Sequence, residues 1–210
     1  YIARLLKAGR KVAVCEQIGS PSKGKGIIER EVVEVLSPGT AMDEDYLDSG
    51  SSTYLAALGV FERHGGDSAG LAWLDASTGE FHALSFPASD IDRLRRELYR
   101  ISPRELLVRE STMAVVDYER AVADLGELVI NRFPDWTFSQ EQGVSVLTGH
   151  FRTSHMRGFG FELDDPALAA AGMVLSYLRD CLGRDLAHVT SLGKAADEAY
   201  LAIDEASQKN

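Results

Sequence analysis

The sequence predicts an α/β fold built on a mixed sheet of about five strands flanked by helices. Three β-like runs follow one another in the middle of the chain, and the last two are joined by a short turn. Helical and strand-like stretches then alternate, an order that places parallel strands in the same sheet as antiparallel ones. An incomplete α+β segment precedes this unit and helices follow it. We therefore expect three parts, residues 1–40, 53–160 and 161–210.

The N-terminal segment begins with a helix that ends at Gly9. Three apolar residues recur at the spacing of one buried helix face: Ile2, Leu5 and Leu6. Two short strands are predicted at residues 11–17 and 31–36, separated by a loop rich in glycine and lysine. Residues 37–40 form a turn. The acidic, serine-containing stretch 41–52 is a linker between this segment and the next unit.

The second unit, residues 53–160, opens with the three strands. Their predicted ranges are 54–61, 69–74 and 80–86. Ser89 and Asp92 then form a capping-box pattern at the start of a helix. The buried positions of this helix are Ile91, Leu94 and Leu98. We expect a buried strand at 106–108 and a further helix at 112–125.

The third part, residues 161–210, contains a helix that Asp165 caps, with Pro166 in its first turn. Its apolar positions recur at steps of three and four and predict a single buried face: Leu168, Ala171, Leu175, Leu178 and Leu182. Gly183 ends this helix.

Composition excludes several classes of protein. The chain is 45% hydrophobic and 26% charged, and it contains no apolar run long enough to span a membrane. The chain starts as the middle of an amphipathic helix and shows no signal peptide, so we expect a piece of a longer cytoplasmic protein. Cys15 and Cys181 do not form a disulfide framework and are predicted to be buried, reduced thiols. The five histidines lack the spacing of zinc ligands.

Charge is distributed unevenly along the chain. The net charge is −10, yet residues 1–30 hold seven basic and two acidic side chains, a balance of +5 that leaves −15 for the rest. Only this basic segment is suited to face a phosphate backbone, and the alternative is a solvated helix face and loop. The acidic remainder argues against a protein that wraps nucleic acid over its whole surface.

Two motifs that carry chemistry in other proteins are incomplete here. Gly19 and Gly24-Lys25 match most of a phosphate-binding P-loop, but Gly26 stands where a Ser or Thr would hold Mg²⁺, and a strand follows instead of a helix. Asp75, at a strand end, could serve a metal-dependent nuclease only with further acids on neighbouring strands, and none is evident. We interpret the first motif as a surface loop and Asp75 as a turn former.

Several motifs, in order along the chain, carry a resemblance to a known family. They are residues 1–9 (YIARLLKAG), 12–17 (VAVCEQ), 37–40 (SPGT), 74–81 (LDASTGEF), 102–107 (SPRELL), 169–172 (AAAG) and 202–207 (AIDEAS). Together they resemble the MutS family of DNA mismatch repair proteins. The resemblance assigns residues 1–40 to the end of the mismatch-binding domain, 53–160 to the connector domain, and 161–210 to the helix that leads into the core and the start of the core. It is weak at about residues 110–157.

The resemblance implies a family that binds mismatched double-stranded DNA as a homodimer and uses ATP and Mg²⁺ to become a sliding clamp. It also implies an RNase H-like connector without nuclease activity, on which a MutL-type protein docks. The Phe-x-Glu motif and the ATPase domain of the family are absent from these 210 residues, so no residue of either site carries over. For this piece we expect no catalysis, no cofactor and no metal. Lys23, Lys25 and Arg30 are our candidates for contacts with the DNA backbone.

Two alternatives remain open at this point. A divergent RNase H-like nuclease would use Asp75 with metal ions and would cleave nucleic acid. A generic α/β binding module with a coincidental N-terminal match would not form a five-stranded mixed sheet with flanking helices over residues 53–160.

Overall fold

The computed structural model describes residues 1–17, 30–40, 53–112 and 128–195, with the single residues 117, 121 and 125. Several predicted features lie outside these ranges. They are the glycine-lysine loop with Lys23 and Lys25, the linker 41–52, most of the helix predicted at 112–125, and the motif at 202–207. No helix within the described ranges is long and apolar enough to cross a bilayer.

The N-terminal segment is a short helix followed by a two-stranded antiparallel sheet. Its elements are α1 (Ile2–Lys7), β1 (Val12–Gln17) and β2 (Arg30–Leu36). Gly9 follows the helix with a φ of 72°, a left-handed conformation that glycine adopts without steric cost. Leu6 is buried against Leu36, whereas Leu5, predicted on the same face, is 43% exposed. The six-residue helix makes fewer than two turns, so its buried stripe is too narrow to include Leu5.

The larger unit is built on a six-stranded mixed sheet. Its strands are β3 (Tyr54–Phe61), β4 (Ser68–Asp75), β5 (Phe81–Pro87), β6 (Glu105–Arg109), β7 (Val129–Phe133) and β8 (Gly193–Lys194). They lie in the order β7-β6-β3-β4-β5-β8. β3, β4 and β5 are antiparallel neighbours. β6 pairs in parallel with β3, β7 with β6, and β8 with β5. The predicted mixed sheet and hairpin are confirmed, with six strands instead of about five. The sequence predicts no range for β7 or for the two-residue β8, because neither carries a strong periodicity.

Helices cover both faces of this sheet. They are α2 (Ile91–Ile101), α3 (Gln140–Phe151) and α4 (Pro166–Ser176), and α4 continues as a π-helical turn over Tyr177–Cys181. Leu55 and Ala57 of β3 join the core under α4, while Ala56 and Leu58 join the core under α2. This alternation follows from the two-residue period of a strand, and it buries both faces of the sheet.

Two helix starts test the predicted caps. Asp90, not Ser89, caps α2: its carboxylate accepts a hydrogen bond of 3.0 Å from the N–H of Arg93, so the predicted capping residue was wrong by one position. Asp165 caps α4 as predicted, and its carboxylate accepts a bond of 3.1 Å from the N–H of Ala167.

The prediction that α4 buries one face was wrong, because every residue from Pro166 to Leu175 is buried. The helix lies between the sheet and α3, and its alanines and Gly172 allow close packing on all sides. α4 packs on β3, β4 and β5, and β8 extends the same sheet. The boundary predicted at residue 160 therefore falls inside the packed unit.

The two cysteines differ from expectation. Cys15 and Cys181 are free, but both are exposed, so their predicted burial was wrong. Cys15 lies on β1 of the two-stranded sheet, which is too small to cover both of its faces. Cys181 ends the π-helical turn, where the helix leaves the core.

Candidate functional site

Asp75, the acid considered for metal chemistry, forms a turn. Its Oδ1 accepts hydrogen bonds from the N–H of Ser77 at 2.8 Å, the hydroxyl of Ser77 at 2.6 Å and the N–H of Thr78 at 3.3 Å. The carboxylate thus closes the β4–β5 hairpin, which confirms its interpretation as a turn former. Within the described residues, no group of three or more His, Cys, Asp or Glu is placed to hold a metal ion, and the nuclease alternative gains no support.

The basic residues proposed to contact DNA are described in part. Arg30 is the first residue of β2, pairs with Gln17 of β1 and is exposed. Lys23 and Lys25 lie outside the described residues. The structure leaves Arg30 accessible from solvent, and its role stays a prediction.

A buried carboxylate lies where the N-terminal hairpin meets the six-stranded sheet. Glu105, at the start of β6, is 0% exposed. Its Oε2 accepts a hydrogen bond of 3.1 Å from the N–H of Gly39, and its Oε1 accepts from the amide of Asn131 at 2.8 Å and from the hydroxyl of Tyr177. Sequence reasoning missed this group; the signal was a single acid directly preceding an apolar strand.

Tyr177 is held in its neutral form. Burial, together with the adjacent carboxylate of Glu105, raises the pKa of this phenol far above its ordinary value, while a hydrogen bond with Ser37 acts in the opposite direction. The ammonium group of Lys11 lies 4.8 Å from the centre of the Tyr177 ring. The phenol therefore keeps its proton at neutral pH and donates a hydrogen bond to Glu105.

Further contacts join the hairpin to the sheet unit. The guanidinium of Arg184 forms an ion pair of 2.9 Å with Glu34 of β2. Val35 packs against the core under α4. The turn after β2 is also buried, with Ser37 at 0% and Thr40 at 1% exposure, and the hydroxyl oxygens of these two residues lie 2.8 Å apart.

Two large apolar side chains are exposed on either side of the start of α3. Trp136, in the 3-10 turn Asp135–Thr137, is 74% exposed, and Leu163 is 68% exposed. Gln140, in the first turn of α3, donates a hydrogen bond of 3.0 Å from its side-chain amide to the carbonyl oxygen of Leu163. Within the described part of the larger unit, these two are the most exposed large apolar side chains.

Comparison with known families accounts for both parts of the chain. A family model described as MutS domain II matches residues 53–190, more than half of the chain, and one described as MutS domain I matches residues 1–45. The chain belongs to the MutS family. In MutS terms, the β1–β2 hairpin lies within the domain I match, while the sheet from β3 to β7 and helices α2 to α4 lie within the domain II match.

Proteins named DNA mismatch repair protein MutS match the whole chain. The protein from Treponema denticola is 37% identical over 218 residues, the one from Chlorobium phaeovibrioides 35% over 211, and the one from Borrelia hermsii 31% over 210. Each match covers 100% of this chain and 24% of the relative. The chain thus spans about a quarter of the length of these MutS relatives.

Proposed function

We propose that this chain is the part of a MutS-type mismatch repair protein that joins the mismatch-binding domain to the core, as a structural and signal-transmitting module without catalysis of its own. The observation that carries the proposal is the consecutive match to MutS domain I and MutS domain II in a single chain. The contacts between the hairpin and the sheet, among them the buried hydrogen bond from Gly39 to Glu105, support a role in transmission, because closely packed elements pass displacement on to one another.

The proposal includes an RNase H-like fold for the connector. The strand order supports it: the antiparallel trio β3, β4 and β5 is extended by the parallel strands β6 and β7. An RNase H-like nuclease would need several converging acids for its metal ions, whereas Asp75 is engaged in its turn. Incubation of the chain with Mn²⁺ and a nicked duplex or an RNA–DNA hybrid should give no cleavage. Cleavage that Asp75→Asn abolishes would contradict the proposal.

The whole protein, in this proposal, acts in the cytoplasm as a homodimer that binds mismatched double-stranded DNA. ATP and Mg²⁺ would be held by a domain outside these 210 residues. Lys23, Lys25 and Arg30 would contact phosphates, and removing one phosphate contact lowers the slope of log Kd against log salt by about 0.9. We expect Arg30→Glu in the whole protein to reduce this slope, while the matched control Arg96→Glu, an exposed position on α2, should not. Equal slopes would make Arg30 an ordinary surface residue.

The proposed partner of the connector is a MutL-type protein, and we assign its docking to the exposed side chain of Trp136, with Leu163 as a second candidate contact. Tryptophan is among the residues that contribute most to protein interfaces, often 2 kcal/mol or more on truncation, roughly 30-fold in Kd. We expect Trp136→Ala in the whole protein to weaken the binding of purified MutL-type protein by about that factor. The control is Val33→Ala on β2, which removes an apolar side chain that is 52% exposed. Equal affinity of both variants would exclude this surface.

A further inference from the structure

The turn that follows β2 lies directly against two strands of the sheet. A Cβ atom on Gly39 would lie 2.7 Å from the Cβ of Glu105 and 3.3 Å from the Cα of Leu55 in β3. Real Cβ atoms essentially never lie within 3.0 Å of a neighbour, so the 2.7 Å contact means that only glycine allows the turn to reach the sheet at this distance. The approach brings the N–H of Gly39 within hydrogen-bond distance of the Glu105 carboxylate.

The hydrogen bonds to the Glu105 carboxylate favour the position of the turn against the sheet. A buried charge is tolerated only where donors surround it, and Glu105 receives one bond at Oε2 and two at Oε1. Asn131 and Tyr177 belong to the sheet unit, whereas Gly39 belongs to the turn. If the turn moved away, Oε2 would lose its donor, and a buried acceptor without a partner costs free energy. The docked arrangement is therefore favoured.

We propose that Glu105 anchors the 37–40 turn to the six-stranded sheet, so that the β1–β2 hairpin moves with the sheet as one body. The ion pair of Glu34 with Arg184 and the contact of Lys11 with the Tyr177 ring are further contacts that hold the hairpin against the sheet unit. The proposal concerns a joint within the chain and does not depend on the docking of a partner or on DNA contacts.

Two substitutions test the anchor from opposite sides. In Glu105→Gln, the amide oxygen keeps the bonds from Asn131 and Tyr177, and the new NH₂ group then faces the N–H of Gly39, donor against donor. Gly39→Ala replaces no side chain of the buried cluster, but its added methyl group cannot fit while the turn is docked. The matched control is Gly65→Ala, where nothing lies within 4 Å of the added Cβ.

The measurement is amide hydrogen exchange in the intact protein, followed by mass spectrometry of peptides covering residues 30–40 and residues 68–75. A hydrogen bond to a charged group contributes enough that its loss should speed exchange in 30–40 about ten- to hundredfold in Glu105→Gln. Gly39→Ala should speed exchange in 30–40 at least as much. Exchange of the peptide 68–75, in the sheet interior, should stay unchanged in both variants, and exchange of both peptides should stay unchanged in Gly65→Ala. Unchanged exchange of 30–40 in both variants, or an equal increase in both peptides, would overturn the anchor.

Discussion

The backbones of α3 and α4 touch where two glycines face each other. A Cβ on Gly143 of α3 would lie 2.5 Å from the carbonyl oxygen of Leu168 and 2.6 Å from the Cα of Ala169, both in α4. A Cβ on Gly172 of α4 would lie 2.3 Å from the Cα of Gly143. All of these neighbours are backbone atoms, which no change of rotamer can move aside.

The expected cost of Gly143→Ala follows from these distances. Carbon contacts are favourable at about 3.5–4.0 Å, so the helices must separate by roughly 1 Å. Overpacking of a buried site costs about 1–3 kcal/mol, whereas alanine stabilises a helix interior by about 1 kcal/mol relative to glycine. Gly149→Ala in the same helix is the matched control, because this glycine is exposed and nothing lies within 4 Å of its added Cβ. The difference between the two variants isolates the packing cost, about 1–3 kcal/mol.

Urea and thermal unfolding of both variants, followed by circular dichroism, measure this difference. For a chain of this size, 1 kcal/mol corresponds to about 2–4 °C, so Gly143→Ala should melt roughly 2–12 °C below Gly149→Ala. Gly149→Ala should be as stable as the unmodified chain or slightly more stable. Equal stability of the two variants would refute direct contact between the helix backbones.

Three further predictions concern single groups. Asp165→Ala should lower the free energy of unfolding, measured with urea, by about 1–3 kcal/mol, because it removes the cap of α4 and a buried ion-pair partner. The control is Asp164→Ala, whose carboxylate is 78% exposed, and it should change that free energy by at most about 1 kcal/mol. Because the pKa of Tyr177 is raised in the folded state, its contribution to stability is present below pH about 10 and is lost as the pH rises further. Tyr177→Phe lacks this group, so above pH about 10 its urea midpoint should fall less than that of the unmodified chain. Although Cys181 is exposed, partial desolvation of its thiol by neighbouring groups raises the pKa, and the charge of Lys11 opposes this rise. The pH midpoint of Cys181 alkylation, followed by mass spectrometry, should therefore lie above that of an ordinary thiol and rise further in Lys11→Met; a fall in that variant would contradict the assignment.

Local patterns in the sequence were sufficient where one segment determines its own conformation. Strands β3, β4 and β5 alternate or run apolar between turn residues, and their predicted bounds lie within one residue of the structure. Gly9 and Asp165 act at the ends of their helices through backbone geometry and a side-chain hydrogen bond that involve only neighbouring residues. Such signals are readable because the partners lie within a few positions of each other.

Other features depended on partners far away in the chain, and local patterns did not predict them. β7 and α3 carry no strong periodicity: the exposure of β7 alternates only weakly, and α3 contains glycines that a propensity argument disfavours. Gly143 is required only because α4 crosses at that point. The predicted burial of Leu5 and of the two cysteines failed because burial depends on what covers a side chain, which its own segment does not encode.

The sequence by itself determined the family, the mixed sheet and the turn role of Asp75, since each rests on residues that are adjacent or in a fixed order. Only the tertiary structure decided that Gly39, Glu105, Asn131 and Tyr177 meet in one buried cluster. Glu105 and Gly39 are 66 positions apart, and Glu105 and Tyr177 are 72 apart. A carboxylate recruits donors by proximity in space, and that proximity exists only after the hairpin, the sheet and the end of α4 have packed together.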